Sequence, residues 1–237
     1  MPHQPVEDGG GPLRSSARGA RQPVSPLDDR SASDQPSRSD ALKAASTGRP
    51  RLFVVTGPSG AGKGTLIREL LARRPELEAA ISATTRPVRP GERDGREYYF
   101  LSEEDFDRRV AADEFLEHVV YVSGQRYGTL NAEVDRILGS GRSCVLELET
   151  EGAKNVKRRH PDAVTVFVAA PSFAELERRL RERATDSAGE IGERLALARR
   201  QMDEAPDFDV VVVNDEVERA VAELEQVVAA AEVAGGR

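Results

Sequence analysis

An α/β fold on a parallel sheet of five strands is predicted by two observations. From Arg51 onward short apolar runs alternate with helical patterns, and a glycine-rich turn joins the first run to the first helix. The runs are Leu52 to Thr56, Cys144 to Leu148, Val164 to Val168 and Phe208 to Val213, with a shorter one near Ala80 to Ala83. Alternation of this kind places helices over the sheet.

Residues 1 to about 49 are dominated by Pro, Ser, Gly, Arg and Asp, and their few apolar residues show no period, so a disordered tail is expected there. Glu7, Asp8, Asp28, Asp29, Asp34 and Asp40 nearly balance its basic residues, which argues against an organellar transit peptide.

The first run leads into Gly57-Pro58-Ser59-Gly60-Ala61-Gly62-Lys63-Gly64-Thr65. Glycines let successive backbone N–H groups converge on phosphate oxygens, and Lys63 stands where an ammonium reaches the outer phosphates of a nucleotide. Leu66, Ile67, Leu70 and Leu71 then share one face of a helix whose positive end points at the same anion. Gly57, Gly62 and Lys63 meet the pattern G-x-x-x-x-G-K, but Gly64 occupies the position that usually offers magnesium a hydroxyl. Thr65 is the substitute.

Between Thr84 and Asn131 the pattern changes to arginine-rich loops, a short helix starting at Ser102 with Asp105, and a strand from Phe115 to Val122. Arg86 and Arg89, three apart around a proline-stiffened turn, suit a second phosphate, because guanidinium forks grip oxygens in pairs. Alternation puts Phe115, Val119 and Tyr121 on the face of Glu117, and a carboxylate in such an apolar row needs a partner. Glu147 and Glu149, two apart at a strand end, face the place ligands occupy in open parallel sheets. Ser172 with Glu175 reads as a capping box ahead of Phe173, Leu176 and Leu180. Asp215 opens a last helix with Val217, Val221, Leu224 and Val228 on one face.

A net charge of −7 argues against a general nucleic-acid or membrane-surface binder. Cys144 is the single cysteine, set in an apolar run, so burial in a reducing cytoplasm is expected. No apolar stretch approaches membrane-spanning length and the N-terminus lacks signal-peptide features, which makes the expected location cytoplasmic. The sequence leaves the oligomeric state open.

Tyr98-Tyr99-Phe100, Glu114-Phe115-Leu116-Glu117 and Tyr127-Gly128-Thr129 follow in order. With Ser82-Ala83-Thr84-Thr85-Arg86-Pro87 and the glycine loop, they resemble guanylate kinase from about Arg51 to the last helix. The resemblance implies a P-loop nucleotide kinase core with an inserted GMP-binding subdomain and a helical lid. Residues 50–234 would form the domain, with core 50–81 and 132–234, insert 82–131 and a lid at about 179–196. It implies transfer of the γ-phosphate of ATP to GMP with Mg²⁺. Carried over by position, Arg86, Arg89, Tyr98 and Tyr127 hold the GMP phosphate, while Ser82, Glu117 and Thr129 read guanine. Glu92, Glu147 and Glu149 complete the GMP-binding set. The catalytic set is Lys63, Arg86, Arg179, Arg183 and Arg194; the ATP set is the loop from Gly57 to Thr65 plus Asn214. His118 and His160 are expected to be structural or surface residues, since a phosphate oxygen needs no base.

The chain departs from the family at Gly64, at Glu149 and Glu151 where Asp and Gln are usual, at Ala184 in the lid, and by one extra residue between Glu117 and Tyr127. Two other readings stay open at this point: a paralogue with another acceptor, and a catalytically silent binding module.

Overall fold

The computed structural model describes residues 49–120, 124–183 and 188–234. The expected tail falls outside them up to residue 48, as do Tyr121, Val122, Ala184 and Thr185.

In chain order, β1 (Leu52–Thr56) runs through the glycine loop into α1 (Lys63–Arg73) and β2 (Leu77–Ala79). Then come β3 (Ala83–Thr84), β4 (Tyr99–Phe100), α2 (Glu103–Ala111), β5 (Phe115–Val120) and β6 (Arg126–Leu130). They are followed by α3 (Asn131–Gly139), β7 (Ser143–Glu147), α4 (Thr150–Arg159) and β8 (Val164–Ala169). Next are α5 (Phe173–Arg183), α6 (Ala188–Asp203), a 3₁₀ turn at Ala205–Asp207, β9 (Val210–Val213) and α7 (Val217–Ala234).

A parallel sheet of five strands has the order β2-β7-β1-β8-β9. β1 is buried along its whole length because both faces are covered. Phe53 and Val55 pack with Leu66, Ile67 and Leu70 of α1 and with Val221, Leu224 and Val228 of α7. Leu52 and Val54 point the other way, onto Val134 and Ile137 of α3 and Ala153 and Val156 of α4. Cys144 lies in that second cluster, and burial pushes its thiol up to about 12, so it is a core residue and not a nucleophile.

A second sheet of four strands, in the order β4-β3-β6-β5, is built from the arginine-rich segment. Its own core is small: Ala83, Phe106, Phe115 and Leu130, with the Phe106 and Phe115 rings stacked at 4.4 Å. Ser102 caps α2 by accepting the Asp105 N–H at 3.0 Å, as the sequence predicts.

Four local expectations are corrected. The run Ala80 to Ala83 is not a strand: the fifth strand is Leu77–Ala79, and Ala83 belongs to the second sheet. The chain leaves the core in between, where Ala80 N–H still donates to Val145 O while Ile81 N–H donates to Glu133 Oε1. Ser172 accepts the Glu175 N–H, but the Glu175 carboxylate turns to Arg178 and Arg179, so only half of the capping box forms. On α7 the inward positions are Ala220, Val221, Leu224 and Val228, and Val217 is exposed. Finally, Phe115 does not share the face of Glu117. A register shift in β5 between them breaks the alternation. Phe115 stays with Phe106 and with the His118 ring 5.9 Å away, while Leu116 packs into the core cluster that holds Ala153.

Candidate active site

The loop after β1 is shaped by what presses on it. Gly57 has φ 134° and a Cβ there would lie 2.2 Å from Val168 O, so only glycine fits. At Gly62, φ 92°, a Cβ would stand 2.3 Å from Asn214 Nδ2. That space lets the buried Asn214 donate to Ala61 O at 2.7 Å and tie the end of β9 to the loop. Lys63 Nζ donates to Gly57 O at 2.7 Å and to Pro58 O at 3.3 Å, which folds the ammonium back over the loop. No side chain caps α1, whose first turn begins at Lys63.

Two cavities meet this loop. The smaller, about 260 Å³, is lined by Gly60, Gly62, Thr65, Arg179 and Asn214. The larger, about 600 Å³, has Lys63, Glu147 and Glu149 on the core side and Ser82, Tyr98, Glu117 and Tyr127 on the side of the second sheet. Glu147 is exposed by surface area, yet the protein around its carboxyl desolvates it and raises its pKa, and Lys63 opposes that rise. Glu149 accepts from Gln201 Nε2 of α6 at 2.9 Å.

Arg86 is 5% exposed and held on three sides. Its guanidinium donates to Pro87 O and to Glu92 Oε1, each at 2.7 Å, and lies 5.2 Å from the centre of the Tyr98 ring. The Arg86 guanidinium holds the Glu92 carboxyl below its ordinary range, helped by the Arg89 N–H. Arg89 is exposed, so the two arginines are not equivalent forks: Arg86 is fixed, Arg89 stands in solvent, and neither is among the residues that line the larger cavity. Tyr98 meets Tyr127 edge-on at 5.9 Å.

Glu117 is 7% exposed and accepts from Thr129 Oγ1 at 3.0 Å. Burial raises its pKa and Thr129 opposes that rise. Glu133, 4% exposed, provides the contrast. Burial would raise it too, but Arg136, Ile81 N–H and the Tyr99 hydroxyl together bring it below the usual value. One buried glutamate is matched by a cation; the other meets the hydroxyl and the backbone N–H of Thr129, both uncharged, and faces the cavity.

In α5, Arg179 donates to Glu175 Oε1 at 2.7 Å and to Asn214 O at 3.2 Å, which places it at the smaller cavity. Arg178 and Arg179 hold Glu175 down to about 2. Arg183 ends α5 and its side chain lies outside the described residues, as does part of the Glu117 to Tyr127 spacing. Arg194 lies on the exposed side of α6. His118 and His160 are both exposed. Sequence reasoning missed Glu133 and Gln201. Glu133 and Arg136 could have been paired by their i,i+3 spacing, but nothing local marks Glu133 as buried.

A glycine loop at the carboxyl end of the central strand, with an ammonium on one side of a cleft and a buried carboxylate on the other, defines a phosphate-transferring nucleotide kinase of the P-loop class. Residues 49–231 match the guanylate kinase family model. Guanylate kinase of Rubrobacter xylanophilus is 50% identical over 188 residues, which cover 79% of this chain and 97% of that one. Guanylate kinase of Synechococcus sp. (strain JA-3-3Ab) is 49% identical over 177 residues, 75% and 81% of the two chains. Among solved structures, guanylate kinase from Anaplasma phagocytophilum superposes with a TM-score of 0.62 at 26% identity, covering 78% of this chain and 87% of that one. The chain belongs to the guanylate kinase family.

Proposed function

We propose that this chain transfers the γ-phosphate of ATP to GMP, giving ADP and GDP, with its two substrates entering the cleft from opposite sides. The observation that carries it is the single cavity bounded by Lys63 at one end and by Glu117 with its Thr129 partner at the other. Guanine offers N1–H and 2-amino donors beside the O6 acceptor. A carboxylate takes the donors and hydroxyls of Ser82 and Thr129 serve the acceptor. Adenine would turn its bare N1 toward Glu117.

Residues 82–131 are the GMP-binding insert in this reading, and residues about 179–196 the lid. Tyr98, Tyr127 and Arg86 hold the GMP phosphate, with Arg89 reaching it from solvent and Glu92 keeping Arg86 in place. ATP lays its phosphates along Gly57 to Thr65, and Asn214 lines the same cavity. Lys63 exchanges its two carbonyl partners for phosphate oxygens. Arg179, Arg183 and Arg194 supply positive charge to the equatorial oxygens of the transferring group. The acceptor phosphate is already ionised near neutral pH, so positioning and charge neutralisation suffice.

A magnesium ion carried by nucleotide phosphates needs only one or two protein oxygens. The donors fit this mode: Thr65 lines the nucleotide cavity, and Glu147 Oε2 lies 3.6 Å from where a side chain at Gly64 would begin. The ion would supply charge neutralisation across the transferred phosphate, with Glu147 and Thr65 as its protein contacts. Partners are ATP and GMP, without nucleic acid or membrane, and the cytoplasm is the setting.

ADP release measured with GMP, AMP, CMP and UMP tests the reading. Preference for GMP is expected. Lys63→Ala should cut kcat by roughly 10²–10³-fold, the scale of losing one preorganised charge stabiliser. Glu117→Ala should raise the KM for GMP at unchanged KM for ATP. Turnover favouring a non-guanine acceptor, or none with any acceptor, would sink it.

A further inference from the structure

β5 carries the guanine-facing carboxylate, but its geometry is imposed from the core. The strand is out of register between Phe115 and Glu117, and its freed carbonyls are taken by α4: Arg159 Nη1 donates to Phe115 O at 3.1 Å and to Leu116 O at 3.2 Å. The same guanidinium reaches both oxygens of Asp113 at 3.2 Å, a residue at φ 53° where the chain turns into β5. Leu116 packs in the core cluster with Ala153 and Val156 of the same helix.

Gly152, in the first turn of α4, is the second observation. Its φ is not positive, so conformation does not call for glycine, and glycine is a poor helix former. Space does call for it. A Cβ at Gly152 would stand 3.1 Å from Glu117 Oε2 and 3.6 Å from Leu148 Cβ, while the other carboxylate oxygen is engaged by Thr129. The carboxylate would have to give way by a few tenths of an ångström and strain that bond.

We infer that α4, through Gly152 and Arg159, positions the Glu117 carboxylate and so sets acceptor selectivity from outside the second sheet. Both are positioning residues, Gly152 by leaving room and Arg159 by clamping the displaced strand. The inference rests on the proposed role of Glu117 as guanine reader.

The full chain carrying Gly152→Ala or Arg159→Met, each alone and with Glu117→Ala, tests this. The readouts are KM for GMP, KM for ATP, kcat, melting temperature, and the kcat/KM ratio of GMP to inosine monophosphate, which lacks the 2-amino group. Gly152→Ala is expected to raise the KM for GMP about tenfold, on the order of one displaced hydrogen bond. The GMP-to-inosine-monophosphate ratio should fall while KM for ATP holds. Its melting temperature should stay or rise, because alanine favours the helix, which separates the effect from unfolding. In the Glu117→Ala background both variants should add nothing further. Unchanged KM and selectivity in Gly152→Ala, or full additivity with Glu117→Ala, would overturn the positioning inference while leaving the Glu117 reading intact. An unchanged KM in Glu117→Ala itself would instead remove that reading, and this inference with it.

Discussion

Glu117 and Glu133 are both almost fully buried, and the residue beside each decides its use. Arg136 neutralises Glu133, which then serves as a joint, gripping Ile81 N–H and the Tyr99 hydroxyl where the chain passes from one sheet to the other. Glu117 has a hydroxyl neighbour and is left with lone pairs facing the cleft. Its pKa is raised by burial above the ordinary 4.5. The stability contribution of its protonated form is therefore complete below that ordinary value and is lost as pH rises through the raised one. Glu117→Gln should accordingly melt a few degrees higher than the parent at pH 7, with the gap closing toward pH 4, while its KM for GMP rises. Thermal melts across that range check it, and a Gln variant equally stable or weaker at pH 7 would show the carboxylate to be better matched than its neighbours indicate. Gly64 is exposed and its missing side chain would meet nothing closer than Glu147, so the absent hydroxyl reflects no packing constraint.

The second sheet has little to hold it. Among the described residues, four buried apolar side chains form its core, against larger clusters on both faces of the parallel sheet. Phe106 anchors it, stacked on Phe115 and covered by the Arg126 guanidinium at 4.3 Å from the ring centre. Phe106→Ala should cost about 3–5 kcal/mol, felt as local opening of residues 83–130 before the parallel sheet yields. Hydrogen exchange resolves the two. Equal acceleration in β1 and β6 would mean that the sheets unfold as one. The helix pair α5 and α6 is held by a cluster of similar size, Ala170, Leu176, Leu180 and Ala198, and reaches the site through Arg179 to Asn214 O and Gln201 to Glu149.

At the scale of the whole molecule, phosphate transfer requires water to be kept from the reacting phosphate, so approach of the two sides of the cleft is the expected outcome when both substrates are bound. A bisubstrate mimic joining adenosine to guanosine through phosphates should shrink the radius of gyration of residues 49–237. At about 100-fold over its Kd it should add about 2.7 kcal/mol of stability. Scattering curves that stay unchanged with the mimic bound would count against closure. The parallel sheet, the phosphate loop and α1 were legible in the sequence because each depends on neighbours along the chain: apolar runs, glycine spacing and helical period. The swap of Ala80–Ala83 for Leu77–Ala79 was not, because the chain leaves the sheet where Glu133, fifty-two residues on, takes the Ile81 N–H. Nor was the direction of Phe115, since a bulge is held by Arg159 from another helix. The sequence alone determined which chemical groups are present and the local geometry of the anion loop, both written in short-range spacing. Tertiary structure alone decided which carboxylates are buried, which of them meets a cation, and which way β5 turns, because those depend on contacts between residues far apart in the chain.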